Sequence, residues 1–146
     1  MTETYQLNEN SLPVMPCPHD CGIREIRLEG RELAFIFEDD ISRHESIRYL
    51  KPEARSLVIR YHLACDPDDD FLCRVSAAKV RTGKGRYQFL DSGKVTGIVP
   101  DGSVLDYNDH YVTSLGNCMG IVIIIAGCEE YLISAYVDSV EYEWIL

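Results

Sequence analysis

The feature that most constrains this chain is an alternation of apolar and polar side chains with period two, recurring from residue 22 to the end. Successive side chains of a strand point to opposite faces, so this pattern specifies strands with one face buried. Ile26 and Leu28 alternate with Arg27 and Glu29, and past Gly30 the set Leu33, Phe35 and Phe37 alternates with Ala34 and Ile36. This predicts a β-hairpin. Leu57, Ile59, Tyr61 and Leu63 alternate with Val58, Arg60 and His62, and Phe71, Cys73 and Val75 resume the pattern. A second hairpin is expected across Thr82-Gly83-Lys84-Gly85, whose glycines suit a tight turn. Residues 88–90 and 94–99 flank the turn signal Asp91-Ser92-Gly93 and read as strands. Near the C-terminus, residues 121–126 form a continuously apolar strand, residues 127–130 a turn and residues 131–137 a return strand. Val140, Tyr142, Trp144 and Leu146 then share one face, with Trp144 a core anchor.

Two stretches break the rhythm. Residues 39–55 carry a capping-box pattern from Ser42 to Glu45 and a helix-stopping Pro52, while Ile47 and Tyr49 also fit a short strand, so a loop with one helical turn is expected. Residues 1–21, with Pro13, Pro16 and Pro18, read as an extended or edge segment, because proline cannot donate to an interior ladder. The expectation is one domain over residues 1–146, with its β core in residues 22–146. Its class is all-β, with little or no helix: an antiparallel β-sandwich or partly open β-barrel of about 8–10 short strands.

Composition narrows the function classes. The 24 acidic against 14 basic residues give a formal charge of -10, which argues against nucleic acid, since phosphate binding rests on cationic side chains. An electrostatically attracted partner would be basic. The longest apolar run is residues 121–126, against roughly 20 apolar residues for a membrane-spanning helix, so no membrane partner is expected. The first residues show neither the basic start nor the apolar run of a secretory signal. The expected location is therefore the cytoplasm, with Cys17, Cys21, Cys65, Cys73, Cys118 and Cys128 reduced. Oligomeric state is not encoded in any pattern here.

Cys17-Pro18-His19-Asp20-Cys21 places three metal-competent side chains beside stiffening prolines. Zinc is the natural cation for such donors, and His62 and Cys65 could complete a tetrahedral set, although the C-x₃-C spacing has no matching second half. Otherwise no cofactor is expected. Asp66-Pro67-Asp68-Asp69-Asp70 concentrates carboxylates but fails the calcium-loop template, with Phe71 where glycine is needed and Ala77 where glutamate is needed. Lys79, Arg81, Lys84 and Arg86 form a basic hairpin without a phosphate-binding motif. Asp106, Asp109 and His110 beside Tyr107 and Tyr111 are the grouping in which acid, base and aromatic side chains could converge. No nucleophile motif accompanies them, so no catalytic residue is assigned.

These readings lead to a non-enzymatic interaction module of regulatory or immunity type. Asp39, Asp40, Asp66, Asp68, Asp69 and Asp70 would contact a basic protein. The alternatives are a small-molecule-binding barrel or sandwich and a domain built on structural zinc.

Overall fold

The structure, a computed structural model, describes residues 1–7, 15–69, 73–81, 87–90, 92–112, 118–126 and 129–146. Alternation becomes strand wherever it is strict. β2 (Gly22–Glu29) and β3 (Glu32–Phe37) form the expected hairpin, with Gly30 at φ +57° in its turn, and β3 pairs with β4 (Ser56–Leu63). β5 (Ser76–Arg81) pairs with β6 (Tyr87–Leu90), while the glycine turn between them lies outside the described residues. β7 (Leu105–Val112), β8 (Cys118–Ala126) and β9 (Glu129–Ile145) follow, and the N-terminal β1 (Thr2–Gln6) pairs with β9. Nine strands and two short helices are present among the described residues, in one mostly antiparallel all-β architecture. No helix among them is long and apolar enough to cross a membrane.

The pairings run β4-β3-β2-β7-β8-β9, and β9 returns to β4, so these strands close into a small barrel. One seam is narrow. β2 and β7 share only the pairs Gly22↔Asp106 and Ile23↔Leu105. The 17 residues of β9 hold the rest together, its first half pairing with β8 and β5 and its second with β4 and β1. The sequence reading split this strand in two, because its buried positions change phase from Ile133, Ala135 and Val137 to Val140, Tyr142 and Trp144. A bulge produces the change: Val137 and Ser139 face consecutive residues of β4, leaving Asp138 as an extra residue. Similar bulges leave Arg24 extra in β2 and Asn108 extra in β7, bending strands that must curve to close.

The interior is filled by large side chains. Trp144, Tyr61, Tyr107, Tyr142, Phe35 and Phe37 are all fully buried, with Phe35 packed edge-on against Tyr61 and Tyr107. Such rings supply much of a core's apolar burial, and edge-to-face pairs add roughly 0.5–1.5 kcal/mol each.

Four expectations are corrected. Residues 94–99 are not a strand: α2 (Ser92–Val95) and the turns after it replace one, burying Val95, Ile98 and Val99. The Ser42–Glu45 capping box does not form. Ser42 bonds to Asp40, and α1 (Glu45–Leu50) starts after His44, whose side chain makes no capping hydrogen bond. The β core does not begin at residue 22, since β1 pairs with β9 as the edge segment that the reading of residues 1–21 allowed. The cysteines are not all reduced, because Cys65 and Cys73 are joined by a disulfide.

Candidate functional site

The structure joins two groupings that lie some ninety positions apart in the chain. Loop 17–21 folds against β7. Asp20 N–H donates to the Tyr107 carbonyl (2.8 Å), and Tyr107 N–H donates to the Cys21 carbonyl (2.9 Å). Pro16 and Pro18 restrict the approach, and Asp20 takes φ +69°, a conformation that Asp tolerates better than most side chains. The bulge at Asn108 frees its carbonyl from regular pairing. That carbonyl accepts from His19 Nδ1 (2.7 Å) and from the Cys17 thiol (3.6 Å), which also lies 3.9 Å from Asp109 Oδ1. Ser46 of α1 donates to the His19 carbonyl (2.8 Å), locking the loop from its other side.

Behind the loop, the buried Tyr107 hydroxyl meets His110 Nδ1 at 2.6 Å. Burial pushes the Tyr107 phenol well above its usual range and holds the His110 imidazole below its own, with Asp109 opposing the latter shift. Both groups are therefore neutral near pH 7, with the phenol donating to the ring nitrogen. Burial, reinforced by Asp109, pushes the Cys17 thiol up to about 12, and burial does the same to Cys21. Thiols in that state are protonated and poor nucleophiles. The hydrogen bonds of this grouping seat loop 17–21 on the barrel.

The five residues considered for zinc do not converge. Cys65 is bonded to Cys73, and its sulfur is therefore not a thiolate ligand. His62 follows the buried Tyr61 along β4 and so projects from the opposite face of the sheet. Cys17 and Cys21 are free thiols, but among the described residues no group of three or more His, Cys, Asp or Glu side chains could hold a metal.

The acidic residues form two surfaces rather than one. Asp39 and Asp40 precede β4 in space, through the Ile41 N–H bond to the Arg55 carbonyl, whereas Asp66, Asp68 and Asp69 follow it. The eight residues of β4 separate them by roughly 25 Å. Asp39 lies 4.0 Å from Arg24 with its side chain 96% exposed, and Asp40 accepts from Ser42, which holds its pKa below the usual carboxylate value. In the second loop, Asp66 Oδ1 accepts from Asp68 N–H (2.9 Å) and the Asp66 carbonyl from Asp69 N–H (3.2 Å). Asp68 and Asp69 point to solvent. Arg31 clamps the entry to this loop by donating to the Leu63 and Ala64 carbonyls, and the Cys65–Cys73 bond closes its base. Asp70, Lys84, Arg86 and Cys128 lie outside the described residues.

Sequence reasoning named the side chains of both groupings but missed the Asn108 carbonyl and the Arg31 clamp. Neither leaves a sequence signal, because a bulge and a side chain reaching across a strand end depend on register.

No protein-family model, curated protein or solved structure matches this chain.

Proposed function

We propose that this protein is a non-enzymatic binding module for a basic partner protein, engaged through the carboxylates of Asp66, Asp68 and Asp69. The observation that carries the reading is the closed base of this loop: a disulfide and an arginine clamp hold exposed carboxylates in a preset turn. Preorganised charge lowers the ordering cost of binding and speeds encounter with an oppositely charged surface. The protonated state of Cys17 and Cys21 supports binding over thiol catalysis. The aromatic packing of the interior likewise favours a surface partner over a ligand held inside the barrel. Asp39 and Asp40, at the far end of β4, are a separate surface and a secondary contact in this reading.

A tagged pull-down at low and moderate salt identifies the partner, and titration with that partner tests the site. Asp68→Lys with Asp69→Lys should slow association at least tenfold and flatten its salt dependence; unchanged association removes the loop from the interface. A cytoplasmic location belongs to the same proposal and is checked by alkylating the thiols of protein taken from its native source. Free Cys65 and Cys73 thiols would support the cytoplasm and leave the Arg31 clamp alone to preset the loop; a protected pair would keep the loop closed, as the binding reading has it, and place the protein in an oxidising compartment instead.

A further inference from the structure

The strand β2 has an edge that its own sheet leaves open. Only Gly22 and Ile23 pair with β7; among the described residues, residues 24–29 pair with β3 alone. Continuing the β2–β7 register would place residues 103 and 104 opposite this edge, but the chain leaves it. Ser103 N–H closes a turn on the Pro100 carbonyl (3.0 Å), and Gly102 takes φ +76°. The departure opens a groove of about 580 Å³, with residues 24–29 on one wall and Thr96, Val99, Asp101 and Gly102 on the other. That volume is within the range of ligand-binding clefts, roughly 300–1,000 Å³.

An unpaired strand edge presents backbone donors and acceptors that an extended chain can satisfy. The side chains around this one define the chain that fits. Ile26 and Val99 are buried and Leu28 is packed against the core, so a narrow apolar floor lies beneath a groove whose exposed lining is mainly polar. Arg27 is held by Glu25 through bonds of 2.8 and 3.0 Å, and Arg24 Nε donates to the Phe37 carbonyl (3.0 Å). Glu29 and Asp101, one on each wall, have no ion-pair partner among the described residues. We propose that this groove is a docking slot for an extended segment of a partner polypeptide, with alternating apolar and basic side chains, which adds as a strand beside residues 24–29. Strand addition gains affinity from main-chain hydrogen bonds and specificity from alternate side chains. The slot is separate from the acidic loops, and the proposal stands without them.

The test uses a capped peptide of alternating valine and lysine as probe and amide hydrogen exchange of the intact protein as readout. Binding should slow exchange of slot-facing amides within residues 24–29 at least about tenfold. N-methylating the peptide backbone should abolish this protection, and Thr96→Trp, which fills the slot from its exposed wall, should weaken binding by a similar factor. Asp68→Lys with Asp69→Lys should leave it unchanged. No protection of residues 24–29, equal protection by the N-methylated peptide, or equal protection by a valine–glutamate peptide would overturn the proposal. Loss of binding in the Asp68/Asp69 variant would assign the probe to the acidic loop and overturn it as well. Protection that grows with protein concentration in the absence of peptide would make a second copy the occupant, again overturning it.

Discussion

Tyr107 and Tyr61 lie near each other in the core, both fully buried, and their hydroxyls are in opposite situations. That of Tyr107 is bonded to His110 Nδ1, whereas that of Tyr61, close enough to Tyr107 to influence its ionisation, meets no atom in hydrogen-bond geometry among the described residues. Tyr107→Phe should therefore cost about 1–3 kcal/mol by stranding the imidazole, while Tyr61→Phe should be neutral or slightly stabilising. Denaturant melts of the two variants check this, and equal losses would show that the hydroxyls act as one chain. The same imidazole sets a pH dependence. Its value is lowered in the folded protein, so the unfolded chain takes up the proton first. Stability from the neutral ring is complete above the unfolded value of about 6.5 and is lost as pH falls through it toward the lowered folded value. The fall in melting midpoint between about pH 8 and pH 5.5 should shrink in His110→Gln; an unchanged fall would assign the loss to other groups.

The disulfide and β1 are each fixed by one local device. Cys65 and Cys73 are eight positions apart, and closing a loop of that size should be worth about 2–3 kcal/mol through the unfolded state. Reduction should lower the denaturant midpoint accordingly, with loop 66–69 gaining mobility and the barrel staying folded. β1 is pinned by Glu3, which pairs with Lys51 and accepts from the Tyr5 hydroxyl at 2.6 Å. Those contacts, Lys51 first, lower the pKa of Glu3. Lys51→Met should destabilise the protein by about 1–3 kcal/mol at neutral pH, by leaving a partly buried carboxylate without its cation. The penalty should fade in acid as Glu3 protonates, and a melting series from neutral to acidic pH reads it. The strands were legible because strict alternation leaves few other solutions: β3 and β4 sit within a residue of the pattern that announced them, and β2 ends where its pattern does. α2 left no period to read, since it spans four residues and of the buried Val95, Ile98 and Val99 only Val95 belongs to it. The disulfide had no comparable signal, because six cysteines can pair in 15 ways and spacing does not choose among them.

The barrel as a whole depends on pairings that no local pattern reveals, and so does the candidate site. Loop 17–21 and the bulge of β7 were each visible as chemistry-bearing segments, but only the closed topology places Cys17 and His19 on the Asn108 carbonyl. The β2 slot was invisible for a related reason, since it arises where a register stops. β9 is the element on which closure turns. Deleting the residues after Val137 removes the pairs with β1 and most of those with β4, and should abolish the cooperative melt rather than merely lower its midpoint. A truncated chain that still melts sharply would show that the other strands hold a core without it. The order of synthesis gives this strand a further meaning. The partner of Thr2 is Glu143, so β1 waits for a segment about 140 residues further along the chain before it can pair. At roughly 5–20 residues per second that delay is on the order of 10 s. Throughout it, the hairpin of β2 and β3 can form, but the apolar faces of β1, β4, β5 and β8 lack the strand that unites them. The nascent chain is thus exposed to misassociation throughout that interval, and its folding begins in earnest only when β9 emerges.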